Sequence, residues 1–552
     1  MHDGSQIRVL RSASPLTLWS RCLIFLVAAM IWMALGPDFS GAGAVPDRED
    51  TLIIGVGRDF LDGPASRTYV HGSTHTWEAL TYLDENLNAC PWLARSWESE
   101  DQARTWIFHL KENVRFHDNT PLTAELARQS ILRIASSPRY DPSGVFKDLD
   151  NLEARGELDL VFHLKKPCPS FANRVSYYQS PVLHPKDFEP DGRLKTVTGT
   201  GPFYLKKAIP GDRIVLEAFD GYWGIKPYFR RVIFRNLADA QTRAMALMAH
   251  EVDAVADVGA ILPQQVETLK NVSGLVLDSV EVATTHYLVI NCAKDPFTKN
   301  SHRQWLASII DRKTIVNALV AGCGRVAKDP FTPLAKDWCF GYLDDSWHLE
   351  KMPEPVPVDI LLHAGTLERW PYLDIAQFIQ VQLGRYGFKA AIHIREPGAY
   401  YKEMKEGKFS LALQPNTLMT GEPDFFYAYY LASDGPRSYG CGCTQTDDLI
   451  ARGRHSSTKA EQKIIYRQLS KDFSRDLPLL PLYHDISFFA YTDRLGFFGM
   501  DHNFRPLLVQ AKPADNNQKR AAESDSQNRF ALSPDKIKAW LAGFLQNRNP
   551  VQ

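Results

Sequence analysis

Strand-like and helix-like segments alternate along most of this chain of 552 residues. A short apolar run at 51–57 ends in glycine, which is typical of a buried strand, and similar runs recur as far as 388–394. Between such runs lie stretches with helical spacing of apolar residues, for example 373–386 and 458–476. Thr123 is expected to cap a helix that extends to about Ile134. This alternation predicts a mixed α/β fold.

The charge balance excludes one class of function. The chain has 63 Lys and Arg against 64 Asp and Glu, so it lacks the basic excess that would neutralise a phosphate backbone. A nucleic-acid partner is therefore not expected. The apolar fraction of 44% is that of an ordinary globular protein, and a chain of this length can bury a large core without disulfide support.

The first 44 residues have the three parts of a secretory signal peptide. Three arginines come first, an uncharged apolar run follows at 22–36, and Ala42-Gly43-Ala44 has the form of a cleavage site. The alternative is a retained membrane anchor, but the run is shorter than the roughly 20 residues of a spanning helix. The sequence thus predicts an exported, periplasmic protein.

Export permits disulfides, and seven cysteines follow the predicted cleavage site. Seven is odd, so at least one thiol is unpaired or pairs between chains. Cys323 and Cys339 are near enough in sequence to close a short loop, but the pairing does not follow from the sequence.

The C-terminal tail has two parts. Residues 511–530 are almost free of large apolar side chains and are predicted to be a flexible linker. Residues 531–552 are predicted to form a short amphipathic helix, because their apolar residues recur at helical spacing. This helix would dock on the body of the protein or on a partner.

Six sequence blocks, in order, resemble one family: the large periplasmic solute-binding proteins of ABC importers that carry peptides, nickel and related solutes (family 5). Together they cover about residues 51–510. The blocks are CPWLARSWE at 90–98, WIFHLKENVRFHDNTPLTAE at 106–125, GTGPF at 199–203, YWG at 222–224 with Pro227, TR at 242–243 through EVD at 251–253, and PLLPLY at 478–483.

The resemblance implies a Venus-flytrap fold, type II-like, in which two α/β lobes enclose the solute. The large N-terminal lobe would comprise 45–280 plus 480–510, and the C-terminal lobe 281–479. Such a protein is a transport component and not an enzyme: it closes around a peptide-like solute or a metal chelate and delivers it to the permease. It is expected to act as a monomer. The alternative is a periplasmic interaction or sensor protein built on the same fold.

The stretch 416–424 bears on the solute. Peptide-binding members of the family carry an Asp here that pairs with the peptide's amino group, and this chain has Met419 at that position. Either Glu422 or Asp424 has taken over that role, or the solute has no ammonium group. Nickel-binding members also lack this Asp, and Met419 with Thr417 would suit the lining of a chelate site.

Two histidines, His71 and His75, are spaced i, i+4 just before a predicted helix at 76–80. On a helical turn both imidazoles would share a face and could ligate one metal ion, although surface or capping roles are equally compatible with the spacing. Cys441 and Cys443 are a second pair, for which a disulfide and metal ligation both stay open. No resident cofactor is expected, and a bound nickel ion or chelate would be the solute itself.

Aromatic side chains near the cleft segments of the family are further candidates for solute contact. These are Tyr69, Tyr178 and Tyr401. Arg139 could meet a ligand carboxylate or could simply be solvated. Motifs of hydrolases, zinc proteases, P-loop proteins and dinucleotide-binding enzymes are not present in the sequence.

Overall fold

The structure is a computed structural model, and the account below concerns its compact unit of residues 50–552. The predicted signal peptide, the predicted tail helix and most of the predicted linker lie outside the residues that it describes. No helix within the described ranges has both the length and the apolarity needed to cross a membrane. The described residues are 48–58, 75–141, 144–176, 180–189, 191–341, 343 and 355–515.

Helices occur in both halves of the chain, as the sequence pattern predicts. Thr123 caps the first helix, since its hydroxyl accepts a hydrogen bond from the amide of Leu126 at 3.3 Å. The helices are α1 (Ala124–Ala135), α2 (Phe171–Arg174), α3 (Ala240–Met248), α4 (Pro263–Lys270), α5 (Asn300–Ile309), α6 (Arg312–Thr314), α7 (Ala364–Leu367), α8 (Tyr372–Arg385), α9 (Pro397–Lys405), α10 (Asp424–Tyr430), α11 (Thr444–Arg454) and α12 (Lys459–Asp476).

Strands account for most of the remaining regular structure. They are β1 (Thr51–Val56), β2 (Thr81–Leu83), β3 (Ala89–Pro91), β4 (Ala94–Glu100), β5 (Thr105–Leu110), β6 (Leu149–Arg155), β7 (Asp159–Leu164), β8 (Phe203–Ile209), β9 (Arg213–Ala218), β10 (Arg231–Asn236), β11 (Ala254–Val255), β12 (Leu275–Ile290), β13 (Gly324–Val326), β14 (Val356–His363), β15 (Phe388–Arg395), β16 (Leu411–Thr417), β17 (Leu479–Thr492), β18 (Leu495–Phe497) and β19 (Lys512–Pro513).

An 11-stranded mixed sheet is the main framework, with the order β15-β14-β16-β12-β17-β11-β1-β10-β9-β8 and with β13 paired to β17. Every residue of β1 is buried, because β1 pairs in parallel with both β10 and β11 in the middle of one half. A separate antiparallel sheet has the order β4-β5-β7-β6. The predicted mixed α/β class is confirmed.

Two long antiparallel strands, β12 and β17, connect the two halves of the large sheet. At one end, Val276 and Phe489 pack with the apolar core that contains β1. At the other end, Leu288 and Leu480 pack with the core that contains β14 and α8. The register shifts between Glu281 and Thr285, where the pairing passes from one core to the other. These two strands are therefore the continuous connection between the lobes, while the precise lobe boundaries stay a prediction.

The buried carboxylate of Glu78 explains why several of the sequence blocks belong together. It accepts hydrogen bonds from Trp92 and Trp223 at 2.8 and 2.9 Å, from Thr200 at 2.7 Å and from Tyr222 at 3.0 Å. Burial nevertheless raises the pKa of Glu78 to about 7. The tryptophans, the GTGP turn and the YWG block thus surround one carboxylate.

Two segments differ from their sequence-based predictions. Residues 76–80 do not form the predicted helix: Glu78 forms an isolated antiparallel bridge with Val182. The four hydrogen bonds to the Glu78 side chain fix an extended backbone there, and they outweigh the local helical pattern. Lys512–Pro513, placed in the predicted linker, pair with β18 as a short strand.

Candidate functional site

The strand β16 and the loop that follows it bring the predicted solute contacts close to the junction of the two lobes. Thr417 is half-buried at the end of β16, and its hydroxyl lies 2.7 Å from the hydroxyl of Thr284 on the hinge strand β12. Met419 is also half-buried, and its amide donates to the carbonyl of Thr417 at 2.9 Å. Both residues therefore lie where β12 passes from one core to the other.

The carboxylates of Glu422 and Asp424 are engaged by cations of the protein itself. Asp424 accepts hydrogen bonds from Arg174 at 2.6 Å and from Arg454 at 3.3 Å. Burial alone would raise the pKa of Asp424, but the two guanidinium groups outweigh it and hold that pKa below its ordinary value. Glu422 forms an ion pair with Lys459, although burial still raises the pKa of Glu422.

Close backbone packing joins the same loop to the N-terminal lobe. The amide of Asn173 donates to the carbonyls of Leu87 and Thr420, at 2.9 and 3.0 Å. Gly421 adopts a positive φ of 69°, and a Cβ atom there would lie 2.3 Å from the carbonyl oxygen of Leu87. Only glycine permits this approach, so the lobes meet here through backbone contacts.

Arg369 lies in the loop between α7 and α8, which follows β14, and faces residues of the N-terminal lobe. A Cβ atom on Gly259 would lie 2.7 Å from the Cα atom of Arg369, which shows how closely the two chain segments approach. Burial, followed by the charge of Arg58, lowers the pKa of Arg369. Asp257 is already paired with Arg58, whose Nε donates to it at 2.9 Å. Among the described residues, no acceptor receives a hydrogen bond from the Arg369 guanidinium.

A wall of aromatic rings lies on the C-terminal lobe. The ring of Tyr401 is 51% exposed, and it contacts the ring of His363 with a centroid separation of 5.5 Å. Tyr400 is buried behind it and accepts a hydrogen bond from the amide of Gln414 at 2.5 Å. Arg437 lies 5.7 Å from the centroid of the Tyr401 ring. This wall combines an exposed aromatic face with a neighbouring cation.

The remaining predicted residues fall into two groups. Tyr69, His71 and Tyr178 lie outside the described residues. His75 is buried, with 3% of its surface exposed, and its carbonyl accepts from the amide of Phe203 at 2.9 Å. It lies on a turn, and because His71 lies outside the described residues, the geometry of the histidine pair stays a prediction. Metal ligation by His71 and His75 stays a prediction.

In the described part of the chain, no group of three or more His, Cys, Asp or Glu side chains could hold a metal ion. Cys441 forms a disulfide with Cys292, which encloses a separation of 149 residues along the chain. Cys323, Cys339 and Cys443 are free thiols. The open alternatives for the Cys441-Gly442-Cys443 pair are thus decided for Cys441 in favour of a disulfide.

Arg369, Arg437 and His363 are site candidates that sequence reasoning missed. A usable signal existed for His363, because it follows directly after the predicted strand at 356–362, and strand ends in α/β sheets commonly carry ligand-binding residues. Arg369 lies farther on, after the short helix α7. Arg437 has no such signal in the sequence. Its neighbours come from β16, α9 and α10, and only the folded chain brings them together.

Comparisons with known proteins agree with this architecture. The pattern of the bacterial extracellular solute-binding proteins, family 5 Middle, matches residues 88–438. The dipeptide-binding protein of Escherichia coli is 26% identical over 470 residues, which cover 76% of this chain and 86% of that protein. The glutathione-binding protein GsiB of Escherichia coli is 24% identical and covers 86% of this chain and 92% of its own length.

A solved structure shares the fold. NikA from Brucella suis in complex with Fe(III)-EDTA superposes with a TM-score of 0.74 at 18% identity, over 84% of this chain and 100% of that one. The predicted two-lobed fold is confirmed by this likeness. Since the family pattern covers well over half of the sequence, the chain belongs to the family 5 bacterial extracellular solute-binding proteins.

Proposed function

We propose that this protein captures a carboxylate-bearing solute between its two lobes and delivers it to the permease subunits of an ABC importer. Peptide-like solutes and metal chelates both fall within this class, because both present carboxylates. The observation that carries the proposal is Arg369, a cation at the meeting of the lobes that receives no acceptor from the described residues.

The charge of Arg369 has no ion-pair partner among the described residues, and we infer that a solute supplies one. A guanidinium stays protonated at any physiological pH, and burying it without a counter-charge is costly. Asp257, a carboxylate near Arg369, is bonded to the guanidinium of Arg58. A solute carboxylate could accept two parallel hydrogen bonds from Arg369, and this fork geometry is specific as well as strong.

The loop at 416–424 offers no unpaired carboxylate to a free ammonium group of a solute. Met419 occupies the position where peptide-binding relatives are expected to carry an Asp, and a thioether cannot neutralise a cation. The nearby carboxylates of Glu422 and Asp424 are already held by Lys459, Arg174 and Arg454. The geometry therefore favours solutes in which the amino group is absent, blocked or occupied by a metal ion.

Calorimetry on the purified protein tests the proposal directly. A panel would contain dipeptides, their N-acetylated forms, glutathione, nickel–histidine and iron–EDTA, each titrated into the wild type and into Arg369→Gln. We expect at least one carboxylate-bearing compound to bind, and Arg369→Gln to weaken it by about tenfold or more, since a hydrogen bond to a charged group contributes about 1.5–3 kcal/mol.

Arg452→Gln is the matched control, because Arg452 is an exposed arginine on α11 that pairs with Asp448. It should bind like the wild type. Undiminished binding by Arg369→Gln, or binding only by solutes without an acidic group, would overturn the proposal.

A further inference from the structure

Arg437 is a second cation that lacks an acidic partner in the part of the chain that the structure describes. One of its guanidinium nitrogens donates to the side-chain oxygen of Gln414 at 2.5 Å. Its guanidinium carbon lies 5.1 Å from the ring centroid of Tyr429 and 5.7 Å from that of Tyr401. Rings on two sides and a hydrogen bond from behind hold the guanidinium in one orientation.

The neighbours of Arg437 orient its guanidinium group but do not neutralise its positive charge. Gln414 is neutral, and the other polar neighbours of the guanidinium are tyrosines, including Tyr430, which forms a side-chain hydrogen bond with it. No carboxylate among the described residues lies within ion-pair distance of Arg437. A half-buried guanidinium has five N–H donors, and a carboxylate from outside could satisfy several of them at once.

Arg437 and Arg369 have two neighbours in common, His363 and Tyr401. Both guanidinium groups act on His363: burial lowers the pKa of His363 first, and the charges of Arg369 and Arg437 lower it further. Both also act near Tyr401, whose ring lies under Arg437 and whose hydroxyl interacts with Arg369. The exposed ring of Tyr401 is therefore close to Arg437 and interacts electrostatically with Arg369, and neither arginine forms an ion pair with a described carboxylate.

His363 lies beside Tyr401 and is a neutral group. Its ring packs against Tyr400 and Tyr401, with centroid separations of 5.1 and 5.5 Å. Its Nδ1 atom is buried and has no hydrogen-bond partner within the described chain. A neutral imidazole in this position can donate or accept one hydrogen bond to a polar group of a solute without adding charge.

We propose that Arg437 forms a second acidic subsite, so that the solute carries two carboxylates, one for Arg369 and one for Arg437, with its body against Tyr401. This inference rests on the proposed function, because it assumes that Arg369 receives the first carboxylate. It narrows the solute class to diacids, such as peptides with an acidic side chain or chelates of polycarboxylates. Monocarboxylates would fill only half of the site.

Matched pairs of compounds that differ in one charge test this inference. Each diacid is compared with its monoamide: N-acetylglutamate with N-acetylglutamine, N-acetyl-alanyl-glutamate with N-acetyl-alanyl-glutamine, and glutarate with glutaramate. We expect the wild type to prefer the diacid of at least one pair by about tenfold or more. Arg437→Gln should remove that preference and leave the affinity for the monoamide unchanged.

The two arginines have separable signatures. Arg369→Gln should weaken both members of a pair, whereas Arg437→Gln should weaken only the diacid. A preference for the diacid that survives in Arg437→Gln, or no preference for any diacid in the wild type, overturns the second subsite and leaves the first untouched. If Arg369→Gln binds the diacid and the monoamide as tightly as the wild type does, the proposed function itself is overturned.

A folding defect must be distinguished from a lost contact. Arg437→Lys retains the charge but not the fork geometry, so it should keep part of the preference for the diacid. Melting temperatures of both Arg437 variants should equal that of Arg452→Gln, the exposed-arginine control. If Arg437→Gln melts lower and also loses affinity for the monoamide, Arg437 has a structural role and the inference is wrong.

Discussion

Arg174 and Asp424 form a buried ion pair across 250 positions of sequence, with 2.6 Å between Nη2 and Oδ2. Arg174 ends α2 on the N-terminal side of the hinge strands, and Asp424 begins α10 on the other side. Their side chains are 2% and 1% exposed, so water screens neither charge. Arg454 adds a second cation next to the same carboxylate oxygen. The pair therefore joins the two halves of the molecule through a buried electrostatic contact.

Removing one member of this pair should destabilise the protein strongly. We expect Asp424→Asn to lower the free energy of unfolding by about 3–5 kcal/mol, because it leaves the buried guanidinium of Arg174 without its counter-charge. Arg174→Met should cost less, because Arg454 remains next to the carboxylate of Asp424. Urea unfolding monitored by circular dichroism measures this. The control is Arg128→Gln, which breaks the exposed pair with Glu125 and should cost about 1 kcal/mol or less. If Asp424→Asn cost no more free energy of unfolding than Arg128→Gln, the buried ion pair would not be an important stabilising contact.

Glu78 should make stability fall as the pH rises. Its pKa in the folded protein is about 7, above the ordinary value of 4.5, so the folded state binds the proton more tightly than the unfolded state. The contribution is fully present below pH 4.5 and is lost as the pH rises through 7. Relative to Glu78→Gln, the wild type should lose about 3 kcal/mol of stability over this window. Urea midpoints at pH 4.5 and 7.5 for both proteins check this, and parallel pH curves would refute it.

His484 on the hinge strand β17 should have the opposite pH dependence. Burial, followed by the charges of His286 and Arg325, lowers its pKa to about 3, and its Nδ1 lies 2.9 Å from the hydroxyl of Thr285. The unfolded state takes up the proton near pH 6.5, so stability is lost as the pH falls from 6.5 toward 3.

Replacing this histidine should remove that acid sensitivity. Between pH 7 and 4.5 the wild type should lose about 2–3 kcal/mol more than His484→Gln. Thermal unfolding across this range measures the difference. His302→Gln serves as a control, because the ring of His302 is partly exposed and its Nδ1 contacts the nearby carbonyl oxygen of Pro296. If the wild type and His484→Gln lose the same stability between pH 7 and 4.5, His484 is not the titrating group.

The disulfide between Cys292 and Cys441 should support both stability and binding. It closes a separation of 149 residues, and opening a native bridge of this kind costs about 2–5 kcal/mol. It also fixes the loop after α10 that carries Arg437 to the end of β12. Reduction, or the double change Cys292→Ser and Cys441→Ser, should lower both the melting temperature and the affinity for a diacid.

Cys443→Ser is the matched control for the disulfide, because Cys443 is exposed and forms no bond to another cysteine. Its melting temperature and affinity should equal those of the wild type. If reduction leaves both quantities unchanged, the bridge has no role in holding the Arg437 loop.

Most helices and strands were accessible from sequence because their signals are local. The cap at Thr123 and the helical spacing at 373–386 each involve residues only a few positions apart, and both predictions are confirmed. The helix predicted at 76–80 failed for the opposite reason. Its conformation is decided by donors near positions 92, 200 and 222, which a local pattern cannot contain.

The site shows the same division more sharply. Sequence blocks identified the family and located the loop at 416–424, including the replacement of an expected acid by Met419. They did not reveal that Glu422 and Asp424 already form ion pairs with cations of the protein. Nor did they reveal that, among the described residues, Arg369 and Arg437 have no carboxylate at ion-pair distance. Candidate acids were accordingly placed among the solute contacts, while both arginines were passed over.

The sequence by itself determined the α/β class, the family and the lack of a net basic charge, since these depend on local patterns, ordered blocks and total charge. Only the tertiary structure decided which of the described charges are paired within the protein and which have no carboxylate partner there. That outcome depends on the distance between groups such as Arg174 and Asp424, and folding brings together residues hundreds of positions apart. The electrostatic character of the cleft is therefore a property of the fold.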